Sequence, residues 1–332
     1  MRYWLAIIIS IVAMISCHAT EVPPQVISDQ DSSTTSTTAL EIQNLAGDFV
    51  SFWDATRGRP IAERVATFKT TIGSRFAEFY GIERYAGHLT QEDQDARIAK
   101  AIESFGPIRD AYIAKISQFN TDLTRHLATF KAAFPDFHSE TPIYLLHSLG
   151  EMDGGTRDLN GKSYLIFGVD GMVHYHTGTN EAAFFHHELF HLYHQQLIGE
   201  CKESGIWESL WHEGLAVYVS HVLDPDANDK EMLLDLPEST VAKTEAQLPA
   251  AFEQLEQVLA KDDEALYPPL FQFKKDQTGL PPRRGYFLGY LVAREIGKTR
   301  DLRALAKLSC HDAHDLVFST VHALKLQAAA AK

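Results

Sequence analysis

Lysine and arginine are few and scattered: the 332-residue chain has 30 of them against 44 aspartates and glutamates, a formal charge of −14, and no basic cluster. That balance excludes the electrostatic docking that nucleic acid or an anionic lipid surface requires. Cysteine is scarcer. Cys17, Cys201 and Cys310 are too few and too far apart for a thiolate metal cluster. No phosphate-binding loop, dinucleotide fingerprint or Ser-His-Asp order occurs, and no internal repeat. The apolar run from Tyr3 to Ile15, broken by Ser10, is too short to span a bilayer comfortably as a helix.

That run reads instead as an export signal. Arg2 supplies the positive charge ahead of it, and the small residues Ser16 and Ala19 surround Cys17. Met14-Ile15-Ser16-Cys17 resembles a bacterial lipobox, with a signal over 1–17 and Cys17 as the lipidated first residue of the mature chain. Ordinary cleavage near Ala19 is the alternative, giving a soluble periplasmic or secreted protein. Lipidation of Cys17 would leave Cys201 and Cys310 as a pair, either a disulfide or two buried thiols. Residues 18–39, rich in Pro, Ser and Thr, cannot bury enough apolar surface to fold and read as a tether.

The remainder divides by texture into a helical region, 40–135, and a mixed region, 136–332. In the first, Leu40, Leu45, Phe49 and Phe52-Trp53 begin an amphipathic pattern that Gly58-Arg59-Pro60 interrupts. Val65, Phe68, Ile72, Phe76 and Phe79 predict one helix from Pro60 to about Tyr80, with further helices near 91–104 and 107–133. The aromatics of these helices read as core. The second region opens with strand signals at 142–147 and 163–169, separated by a Gly-rich loop with Gly150, Gly154, Gly155 and Gly161. Residues 172–176 suggest a third, shorter strand, and helix returns after Asn180. The pattern predicts an α+β fold, mostly helical, with a small sheet packed on one functional helix.

That helix carries His187-Glu188-Leu189-Phe190-His191. Residues four apart share a helical face, so both imidazoles can reach one metal ion. Glu188 lies about 100° round from His187, beside the metal rather than on it. With 16 histidines in the chain the pattern can arise by chance, so its surroundings decide. The following helical segment, Trp207 to Tyr218, holds Glu213 between Trp211-His212 and Gly214-Leu215-Ala216, an apolar setting for a carboxylate with no partner. Two such helices lying antiparallel would bring Glu213 over the two histidines. His194 shares their face, and His174, His176, His186 and His212 lie nearby in sequence.

These two segments resemble the gluzincin zinc metallopeptidases, and within them the peptidase-MA-like, predicted zinc-dependent proteases of bacteria. The resemblance spans roughly 140–300 and includes Arg284-Gly285-Tyr286-Phe287-Leu288-Gly289-Tyr290, similar to a Gly/Tyr segment on a later helix of the family. It implies a zincin-like region in which His187, His191 and Glu213 hold Zn2+ and Glu188 is the general base for peptide-bond hydrolysis. It also implies a phenolic donor to the oxyanion, Tyr286, with Tyr290 one turn later as its rival. Gluzincins bind an extended substrate along an edge strand, and the resemblance implies that role for the expected strand at 172–176, with His174 and His176. One departure concerns the position four residues after Glu213, often acidic in the family and here Val217. The expected partner is a peptide or protein substrate, not nucleic acid, met on the periplasmic side of a bacterial membrane to which Cys17 tethers the chain. Two rivals stand beside this reading. One is a zinc amidase acting on a non-protein amide, and the other a non-catalytic lipoprotein with a vestigial zinc site. Arg283 and Arg284 are either carboxylate binders or merely solvated.

Overall fold

The computed structural model describes residues 40–331 except 177, 199, 200 and 202. The expected signal, the tether and Cys17 lie outside the described residues.

The chain enters through a three-residue strand, β1 (Ile42–Asn44), where the sequence pattern suggested only helix. Three residues are too few to show a period, and the strand exists because β2 lies parallel beside it. Asn44 then caps α1 (Leu45–Ala55) by accepting the Gly47 N–H at 3.0 Å. The helix expected from Pro60 to Tyr80 is broken. It comprises α2 (Ile61–Thr71), a 3-10 turn at Gly73–Phe76, and the single turn α3 (Ala77–Tyr80). Gly73-Ser74, weak helix formers, mark the break. Val65, Phe68, Ile72, Phe76 and Phe79 are nevertheless all buried, as their spacing implied. α4 (Gln91–Ser104) begins at a capping box between Thr90 and Asp93. α5 (Arg109–Ala133) buries Tyr112, Phe119, Leu123 and Phe130 along one stripe.

The sheet is mixed, in the order β1-β2-β4-β3. β2 (Ile143–Leu146) and β4 (Lys162–Gly168) fill the two expected strand segments and run parallel. β3 (Gly154–Leu159) was expected to be loop; it pairs antiparallel with β4. The hairpin turns at Asn160-Gly161, both with positive φ (51° and 74°), a dipeptide that marks such turns in sequence. A second correction concerns residues 172–176. Residues 172–175 belong to a helix, α6 (Val169–Tyr175), and His176 caps its end, so no strand forms there. Gly168 and Gly171 let its first turn sit directly on the Met152 carbonyl, where a Cβ on either would lie 2.2–2.3 Å from that oxygen.

α7 (Ala182–Gln195) lies on one face of this sheet. Its Phe184 and Phe185 rings pack at 5.7 and 5.4 Å on Phe167 of β4, which Phe119 of α5 also meets at 5.1 Å. Phe76 stacks at 3.8 Å on Tyr144 from the opposite face. The helical region and the mixed region therefore share one core, and Glu41–Lys332 forms one compact unit.

The helices that follow are α8 (Ile206–Leu223), α9 (Thr240–Glu245), α10 (Leu248–Val258), α11 (Tyr267–Phe271), α12 (Arg284–Gly297), α13 (Leu302–Ala306) and α14 (Cys310–Ala330). α8 packs on both α7 and α12. Of the two alternatives for the later cysteines, the disulfide is the one formed: Cys201 and Cys310 are bonded, 109 residues apart. Among the described residues no helix is long and apolar enough to cross a membrane.

Candidate metal centre and active site

α7 is apolar almost all round, because the sheet covers one side and α5 and α8 cover the others. Ala183, Phe185, Leu189, Phe190, Leu192 and Tyr193 are each at most 2% exposed. Against that background His187 and His191 are half-buried, as is Gln195 at the helix end, and both histidines face Glu213 of α8. Their Nε2 atoms approach to 2.9 Å. Glu213 of α8 brings Oε2 to 3.4 Å from His187 Nε2 and 3.3 Å from His191 Nε2.

Three donors so disposed match a metal ion. Bonds of about 2.0–2.2 Å to a tetrahedral zinc put ligand atoms roughly 3.3–3.5 Å apart. Two of the three separations fall in or beside that range, and the third needs a small side-chain adjustment. The donors also have the chemistry of a hydrolytic zinc site, two imidazoles and one carboxylate. The five other histidines named from sequence stand outside this cluster.

Glu188 supplies the decisive detail. It is 7% exposed, its Oε2 has no hydrogen-bond partner, and it abuts Gly154 of β3, where a Cβ would lie 2.8 Å from Glu188 Cγ. A buried carboxylate oxygen without a partner is costly and rare outside functional sites. Burial pushes the Glu188 carboxyl up to about 8; His191 opposes this, while Asp153 and Glu213 add to it. Burial likewise opposes ionisation of Glu213, but His191 and His187 overcome it and hold its carboxyl well below the usual range. The two glutamates are thus driven in opposite directions, one toward a fixed charge and one toward exchange of a proton near neutrality.

The two candidate tyrosines separate clearly. Tyr290 is buried, and its hydroxyl is engaged by His221 Nδ1 at 2.7 Å. Tyr286 is half-buried, and its phenol titrates well above the usual range, first through burial and then through Glu213, with Glu188 also contributing. Tyr286 therefore borders the centre with its proton held.

Sequence reasoning missed several neighbours. Asp153 accepts a hydrogen bond from His176 Nε2 at 2.8 Å and lies close enough to disfavour ionisation of Glu188. His176 thus pairs with Asp153, with its ring on Phe184 at 4.1 Å, rather than lining an edge strand. Arg157 of β3 lies near Glu188 and His191, and Tyr267 of α11 near Glu213. Only the Asn160-Gly161 turn signal, by placing β3 at a sheet edge, could have drawn Arg157 toward the site.

His194 does sit behind the ligands, but packed rather than hydrogen-bonded. Its ring stacks on Phe190 at 5.1 Å and meets His212 at 5.1 Å, and burial keeps both imidazoles neutral. His186 turns the other way, to Asp224 and the His126 carbonyl. No protein-family model, curated protein or solved structure matches the chain. The resemblance to gluzincins rests on the residues themselves.

Proposed function

We propose that this protein is a zinc-dependent peptidase of zincin-like architecture, with Zn2+ held by His187, His191 and Glu213. The observation that carries the reading is the unpartnered, buried carboxylate of Glu188 beside three converging donors. A structural metal site has no use for such a group and more often supplies four protein ligands. When bound, zinc supplies Lewis acidity, which polarises an amide carbonyl and acidifies water.

The chain's own residues do the rest. Glu188 takes the proton of the attacking water on Oε2 and passes it to the departing amine. A carboxyl pushed toward 8 by burial holds a proton well enough to return it, and a cation held by His187, His191 and Glu213 would favour its ionised form for the first step. The Tyr286 hydroxyl donates a hydrogen bond to the oxyanion, a task suited to a neutral phenol that keeps its proton. Gly154, lacking a side chain, leaves room for Glu188 where β3 meets α7. β3 pairs with β4 alone among the described strands, so its outer edge offers backbone groups to an extended peptide. This replaces the edge expected at 172–176.

The same reading keeps the catalytic unit outside the cytoplasm, tethered through a lipidated Cys17. The Cys201–Cys310 disulfide supports an oxidising compartment, and mass spectrometry of the membrane fraction tests the lipid. The ligand set is tested by metal analysis: the wild type should bind one zinc, and Glu213→Ala should lose it. Unchanged zinc in Glu213→Ala would mean a different third ligand.

A further inference from the structure

Arg283 and Arg284 are adjacent in sequence, yet the fold uses them in opposite ways. Arg284 is fully buried, and both terminal nitrogens of its guanidinium are engaged, although its Nε, like that of Arg283, has no partner. Its guanidinium meets Asp276 Oδ2 at 2.6 Å, Gln254 Oε1 at 3.2 Å and the Pro281 carbonyl at 3.0 Å. It ties the segment before α12 to α10 and is structural.

Arg283 has no such partners. Among the described residues no carboxylate lies within ion-pairing distance of it, its Nε is buried without a hydrogen bond, and its one contact to oxygen is a long 3.5 Å to the Leu233 carbonyl. Its guanidinium lies over the Tyr286 ring, 4.4 Å from the centroid, with Phe273 on another side at 5.1 Å. The backbone holds it there in a left-handed conformation, φ 61°, that a non-glycine residue adopts at some cost. A half-buried cation with unspent donors is thus fixed against the ring of the tyrosine that borders Glu188 and Glu213. Its charge is felt by Tyr175, Tyr267 and Tyr286 alike.

We infer that Arg283 is a substrate-binding residue that receives a carboxylate of the peptide next to the scissile bond, either an Asp/Glu side chain or the free C-terminal carboxylate. This rests on the peptidase reading above and narrows its substrate class. Planar guanidinium groups pair with carboxylates through two parallel hydrogen bonds, and the Tyr286 and Phe273 rings hold this one in place. In a chain of formal charge −14 such a local cation works against the overall field, so the attraction is confined to one place.

The test reads binding rather than turnover. Zinc-loaded Glu188→Gln protein is titrated with fluorescein-labelled peptides of Ala and Gly carrying a single Glu, or Gln, at each position in turn, with either a free or an amidated C-terminus. A charge-assisted pair predicts that one Glu position, or the free C-terminus, tightens Kd about tenfold or more. Which of the two does so identifies the source of the carboxylate. Adding Arg283→Asn, a residue that tolerates the left-handed backbone, should reduce the gain to within about twofold, while Arg283→Lys retains part of it. No carboxylate preference in the Glu188→Gln protein, or a preference that survives Arg283→Asn, overturns the inference. An Arg283-dependent preference in a protein whose wild type cleaves no peptide would leave the subsite standing and sink the peptidase reading instead.

Discussion

Gly214 of α8 touches Gly289 of α12, backbone on backbone: a Cβ on Gly214 would lie 2.2 Å from the Gly289 carbonyl carbon. This crossing sets the depth of the site, because Glu213 precedes one glycine and Tyr286 lies one turn before the other. Gly214→Ala must push the helices apart. Overpacking of this kind costs about 1–3 kcal/mol. The expected result is a lower denaturation midpoint together with weaker zinc binding, measured on the same preparation. A loss of stability with unchanged zinc affinity would uncouple the crossing from the ligand set.

Tyr286→Phe and Tyr290→Phe should part company. Removing the Tyr286 hydroxyl should lower kcat by about 100- to 1000-fold, as for other oxyanion donors, with zinc content unchanged. Removing the Tyr290 hydroxyl leaves His221 without its partner and should cost roughly 1 kcal/mol of stability with a far smaller effect on kcat. Steady-state kinetics on both variants, with urea unfolding, separates them, and the reverse pattern would exchange their roles.

Away from the candidate metal ligands, Glu151 should carry a large share of the acid sensitivity. Burial disfavours its charge, yet Arg84, with Arg157 and Arg97, holds its carboxyl down to about 2 from an ordinary 4.5. The folded-state value is depressed, so the stabilisation is fully present above about pH 4.5 and is lost as pH falls from there through 2. Its size is on the order of 3 kcal/mol. Unfolding free energy measured between pH 7 and 3 should fall less steeply for Glu151→Gln than for the wild type. Parallel slopes would locate the acid response elsewhere. Arg157 also borders Glu188, so this ion cluster braces the strand that backs Glu188.

Reduction of Cys201–Cys310 opens a loop of 109 residues. The chain-entropy model assigns such a loop about 4–5 kcal/mol. Cys201→Ser with Cys310→Ser should lower the denaturant midpoint accordingly while zinc remains bound, since neither sulfur is near the metal ligands. An unchanged midpoint would mean that the unfolded chain is already compact there.

Much of the site was legible because it is written in local periods. The four-residue spacing of His187 and His191 and the apolar flanks of Glu213 state which faces meet, and the structure brings those donors together. The aromatic stripes of α2 and α5 were legible for the same reason. What could not be read depends on partners remote in sequence. β1 is three residues long and is a strand only because β2 lies beside it. α6 was misread because alternation over five residues does not separate strand from helix, and the close approach of Gly168 and Gly171 to Met152 decides the matter. Arg283 and Arg284 look alike in sequence, and only the fold decides that Asp276, seven residues before the first and eight before the second, pairs with the second.

The central claim is that Glu188 serves chemistry rather than metal binding or folding. Peptide-library cleavage and metal analysis of wild type and Glu188→Gln test it most directly. The account predicts one zinc in each, cleavage by the wild type that a chelator abolishes and zinc restores, and a loss of about 100-fold or more in Glu188→Gln. Zinc retained in both with cleavage in neither would contradict it.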